Sequence, residues 1–106
     1  MSKLQLKSIT CFKKQDLIGK DELIIKLGGS LAWSATGFSK DTTRSLETIE
    51  PRQFTNQIKL ELFEKDPGRD DFLGEKVIDD KSEHFGIHNA RFVDRGADYE
   101  VTYEVK

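Results

Sequence analysis

Apolar and polar side chains alternate with a period of two along most of this chain, and that pattern commits it to strands. The clearest case is Tyr99-Glu100-Val101-Thr102-Tyr103-Glu104-Val105, which puts Tyr99, Val101, Tyr103 and Val105 on one face. Ile58-Lys59-Leu60-Glu61-Leu62 repeats the pattern. Leu23, Ile25 and Leu27 alternate against Ile24 and Lys26, Gly28-Gly29 makes a hairpin turn, and Leu31 and Trp33 continue a third strand. Near the start, Leu4 and Leu6 have one parity while Ile9 and Cys11 have the other. That slip predicts a bulge near Lys7-Ser8. Ala35 to Arg44 reads as a loop, Leu46-Glu47-Thr48-Ile49 as a short strand before Pro51, Phe72 to Ile78 as a strand, and Lys81 to Asn89 as a loop. No segment carries an apolar stripe of helical period. About seven or eight short strands divided by turn signals predict an all-β fold, an antiparallel two-sheet β-sandwich, with a small closed barrel as the alternative. Residues 1–106 are read as one domain.

Composition narrows the function. Nineteen acids against seventeen bases leave a net charge of −2, so there is no overall attraction to nucleic acid or to an anionic membrane. Any such attraction has to be local or switched on by a bound cation. The single cysteine, Cys11, excludes an internal disulfide and reads as a core thiol between Thr10 and Phe12. The first residues hold no apolar stretch of signal-peptide length, and no run approaches the ~18 apolar residues of a membrane span. A cytoplasmic or peripheral-membrane location is expected, with a removed leader or leaderless export as alternatives.

Two acidic stretches stand out. Gln15-Asp16-Leu17-Ile18-Gly19-Lys20-Asp21-Glu22 lies between the first two strands, and Glu64-Lys65-Asp66-Pro67-Gly68-Arg69-Asp70-Asp71 follows the strongest strand. Calcium takes six to eight oxygen ligands, many of them carboxylates, and a loop that returns on itself can supply several. Gly19 and Pro67-Gly68 are residues that tight returns require. Glu64 and Asp66 share parity with Leu62, and Asp71 follows the turn and can come back toward them. Asp16, Asp21, Glu64, Asp66, Asp70 and Asp71 are therefore the candidate metal ligands. The spacing is not that of an EF-hand.

These stretches resemble the C-two domain, the calcium- and phospholipid-binding sandwich of protein kinase C and the synaptotagmins. Asp16, Gly19 and Asp21 look like the first-loop positions of that family. Glu64, Asp66, Asp71 and Phe72-Leu73-Gly74 look like its third-loop signature, an acidic pair, a further acid, an apolar pair and a glycine. Glu50-Pro51-Arg52-Gln53-Phe54 resembles the segment before its long strand. The closest likeness is to compact bacterial members. The chain departs at Lys20-Asp21-Glu22-Leu23, where the family has Ser-Asp-Pro-Tyr, and at Glu64, where Asp is usual. The phosphoinositide-binding basic strand has no clear counterpart.

The resemblance implies a calcium-binding module that docks to an anionic phospholipid surface or to a protein partner once loaded. Apo loops are negative and repelled by anionic headgroups, and bound calcium inverts that local charge. Leu17 and Ile18 are apolar at the expected loop tip and are candidates to enter the membrane interface. The alternative is a structural or interaction protein in which calcium only stiffens the loops. His84 and His88 read as loop histidines, and Trp33 as core. No nucleophile motif or phosphate-cradling loop occurs, so no enzymatic role is expected.

Overall fold

The computed structural model describes residues 2–13, 21–38, 40–66, 69–94 and 96–106, with positions 21, 37, 38, 66 and 69 described by their backbone alone. Among the described residues nine strands run in chain order: β1 (Ser2–Lys13), β2 (Asp21–Leu27), β3 (Ser30–Phe38), β4 (Thr42–Ser45), β5 (Arg52–Phe54), β6 (Gln57–Asp66), β7 (Arg69–Asp79), β8 (Gly86–Asp94) and β9 (Ala97–Val105). All pairings are antiparallel, in two sheets. One has the order β4-β1-β9-β8 with β5 also on β1, and the other β3-β2-β6-β7. The expected sandwich is present, with more strands than the pattern counted.

Alternation fills the space between the sheets. Tyr99, Val101, Tyr103 and Val105 of β9 are all buried, as are Leu23, Ile25 and Leu27 of β2 and Ile58, Leu60 and Leu62 of β6. In β1 the pairing with β9 slips between Leu6 and Ser8, so Lys7 is the extra residue. Leu4, Leu6, Ile9 and Cys11 can then all point inward despite their change of parity. Cys11 is fully buried in the main cluster, and Trp33 packs at its margin. Gly28 and Gly29 both take positive φ, 59° and 85°, the hairpin geometry that glycine adopts at least cost.

Three expectations need correction. The segment 35–44 is mostly strand: β3 continues to Phe38, and β4 pairs Thr42–Ser45 with Ser8–Cys11. Backbone pairing carries these residues, and Thr and Ser on an edge give no apolar alternation. Residues 46–49 form a turn rather than a strand. The Leu46 N–H donates to the Lys7 carbonyl at 2.9 Å and the Ile49 N–H to the Leu46 carbonyl at 3.1 Å, while the Leu46 side chain is fully buried. Two apolar residues that looked like a strand instead anchor a bend. Finally, 81–89 is loop only in part: a short 3₁₀ turn, Ser82–His84, leads into β8 at Gly86. Only Ala90 and Phe92 of β8 are fully buried, which is too few for a strand signal.

Candidate functional site

One end of the sandwich gathers the acidic stretches. On the first sheet β1 ends there at Lys13, which pairs with Asp98, and the β8–β9 turn follows Asp94. On the second sheet Asp21 pairs with Phe38 and Leu23 with Glu64. The short link from Phe38 to Thr42 ties the two sheets together at this end.

The acidic stretch 64–71 was expected to be a loop. Most of it is instead the end of a hairpin, in which Glu64 pairs with Asp71, Lys65 with Asp70 and Asp66 with Arg69. Register sorts the acids between faces. Glu64 lies two residues past Leu62 on the inner face, and Asp71 sits opposite it. Their exposures are 1% and 8%. Side chains paired across strands stand about 4.5–5.5 Å apart at Cβ. Two carboxylates at that range repel when both are ionised, and a divalent cation between them removes the repulsion. Neither carboxylate is without a partner in the protein. Asp70, opposite Lys65, is on the other face and exposed.

That outer face differs chemically. Lys65 Nζ approaches Glu22 Oε1 at 3.9 Å, Lys26 Nζ stands 4.8 Å from the Phe63 ring centre, and Phe63 and Phe72 are tilted at 5.4 Å. Asp70 therefore shares the exposed outer face with Lys65, while Glu64 and Asp71 lie inside. A bulge in β7 produces this division. Leu62 pairs with Gly74 and Phe63 with Phe72, so Leu73 is the extra residue. It brings both Leu73 and Asp71 inward, with Phe72 outward between them. Gly74 then meets the facing sheet: a Cβ there would lie 2.9 Å from Phe92 Cδ1, and its φ is +152°.

Asp16, Leu17 and Ile18 lie outside the described residues, as do the side chains of Asp21 and Asp66; the backbones of Asp21 and Asp66 close β2 and β6 at the same end. Among the described residues no three histidines, cysteines or acids converge to hold a metal. Glu64 and Asp71 offer two hard oxygen donors that suit calcium, and further donors would have to come from Asp16, Asp21 and Asp66. Two acids not singled out from the sequence share this end. Asp41 has φ 64° and donates its N–H to the Cys11 carbonyl at 2.7 Å. Asp94 pairs with Ala97 in the β8–β9 turn. Each stands apart from the acid-rich stretches, so composition did not mark it.

Asp98, beside this end, is held by Arg91 through Nε at 2.5 Å and Nη2 at 2.8 Å. The hydrogen bond from Arg91 is the main cause that keeps the Asp98 carboxyl below its usual range. The histidines lie elsewhere. His84 Nε2 is 3.4 Å from Asp79 Oδ1, His88 Nε2 is 3.1 Å from the Phe85 carbonyl, and the His88 ring stacks on Tyr103 at 5.6 Å. Among the described residues no helix is long and apolar enough to cross a membrane.

No family model matches this sequence, and no curated protein matches it. Solved structures do. One, described as the structure of a C2 (C-two) domain, superposes over 100% of this chain and 99% of its own, with a TM-score of 0.60 and 17% identity. At that identity the likeness concerns architecture. The architecture of this chain, a sandwich of two antiparallel sheets, is that of the C-two domain.

Proposed function

We propose that this protein is a calcium-binding module that docks to an anionic membrane surface, or to a protein partner, when loaded. The observation that carries this reading is the buried pair Glu64 and Asp71, facing each other across β6 and β7 at the acidic end. An apolar pair at that position would stabilise the sandwich without repulsion, and a divalent cation seated beside the two carboxylates would offset the repulsion between them. Calcium supplies charge neutralisation and open coordination positions that phosphate oxygens of a headgroup can fill. The residues of the chain do the rest. Glu64 and Asp71 hold the ion from the hairpin, Asp16, Asp21 and Asp66 complete the set, and Leu17 and Ile18 enter the interface. The role is one of binding rather than catalysis.

Co-sedimentation with phosphatidylserine vesicles tests this. Wild-type protein is expected in the pellet with calcium and in the supernatant with chelator. Leu17→Ser/Ile18→Ser should weaken pelleting while leaving calcium affinity in solution little changed. If calcium binds but the protein stays in the supernatant, the lipid role is wrong and a protein partner takes its place.

A further inference from the structure

Sheet edges carry unpaired backbone donors and acceptors, and folded proteins blunt them with bulges, short strands or charges that point inward. Three of the sheet ends here are blunted. β3 carries two extra residues in its pairing with β2, one between its partners of Asp21 and Leu23 and one between those of Ile25 and Lys26. β7 carries the Leu73 bulge and places Lys76 opposite Leu60, a lysine on the inner side of an edge. β4 has four residues and β5 three. β8 has one of these devices, Asp94 at its very end, which shares the inward parity of Ala90 and Phe92, and none along the rest of its length. It pairs with β9 over nine consecutive residues without a register shift and contains no proline or lysine. Its outward face presents Ile87 and Val93, 64% and 67% exposed.

We propose that β8 is a self-association edge, on which a second copy of this chain pairs antiparallel through its own β8. The strand is self-complementary. Residues opposite each other in an antiparallel pair share a face, so a two-fold axis normal to the sheet must pass between two copies of one residue. Centred on Ala90, the pairing sets Ile87 of each copy against Val93 of the other and Arg91 against Asn89. It joins the exposed apolar residues and opposes no like charges. Centring one residue later sets Arg91 against itself, and one residue earlier sets Ile87 against Arg91. Arg91 is already neutralised by Asp98, so it can lie beside the Asn89 amide without a counter-charge from the partner. The inner face of β8 is covered by its own molecule, with Phe92 against Gly74, while on the outer face Ile87 and Val93 are exposed. Antiparallel pairing points the two acidic ends in opposite directions.

Sedimentation equilibrium or light scattering across a concentration series tests this. The expected result is a mass rising toward twice 12.1 kDa with concentration. Ile87→Lys should return the protein to a single-chain mass, with an unchanged circular dichroism spectrum because the side chain is exposed. Ile87→Lys/Val93→Glu should restore the dimer, because the register sets opposite charges against each other at both ends. A single-chain mass for wild type at every concentration, or a dimer untouched by Ile87→Lys, would overturn the proposal. So would a dimer lost in the single variant and not regained in the double one.

Discussion

Glu64 and Asp71 make the sharpest claims at the scale of single residues. Removing one charge from a facing pair relieves repulsion in the metal-free protein and removes a ligand from the loaded one. Asp71→Asn is therefore expected to leave the apo protein at least as stable as wild type while abolishing its stabilisation by calcium, and Asp66→Asn should do the same. His84→Ala should change neither. Thermal melts in calcium and in chelator check all three, and full retention of the calcium shift in both Asp variants would place the ligands elsewhere. Asp98 gives a pH dependence of definite sign. Its carboxyl is lowered in the folded state by Arg91, so the pair contributes stability above the unfolded value near 4 and loses it as pH falls through the folded value. Melts of wild type and Asp98→Asn should differ at pH 6 and converge in acid, by a small amount because the Arg91 partner is half exposed to screening solvent. Parity alone put Glu64 beside Leu62 and brought Asp71 back toward it. Parity could not separate Asp70 from Asp71, since that division depends on the Leu73 bulge, and a bulge leaves no mark when Phe, Leu and Gly follow one another.

Elements are held by contacts that cross from sheet to sheet. Gly74 of β7 lies under Phe92 of β8, and a methyl group there would meet the ring at 2.9 Å. Gly74→Ala should cost roughly 1–3 kcal/mol through overpacking, with further strain from its φ of +152°. A urea midpoint equal to wild type would mean that Phe92 moves aside freely. Leu46 is fully buried although it belongs to a turn, so Leu46→Ala should cost about 2–5 kcal/mol, the range of a core leucine. Denaturant titration measures it, and a loss near that of an exposed residue would contradict its anchoring role. These elements also explain what the sequence makes legible. β2, β6 and β9 lie inside their sheets, and each carries a full inward row of apolar residues. β4 and β8 lie at edges, where backbone pairing does the holding and side chains are free to be polar. Leu46 and Ile49 mimic a strand by the apolar, β-branched and Thr-containing composition of their segment rather than by a period of two, because a buried turn needs apolar anchors just as a strand does.

For the whole molecule, two sheets packed over one core leave their turns as the place where chemistry can vary without disturbing the fold. β1, β3, β6 and β8 end, and β2, β4, β7 and β9 begin, at one end of the sandwich, and the acid-rich stretches of the sequence flank β2 and β6 there. If this end binds calcium, isothermal titration calorimetry of the wild-type protein beside the Asp71→Asn variant will show it. Saturable binding by wild type is expected, with its loss or severe weakening in the variant. At a calcium concentration a hundred times the dissociation constant, the fold should gain about 2.7 kcal/mol. No heat of binding at millimolar calcium, together with identical melting points in calcium and in chelator, would contradict it.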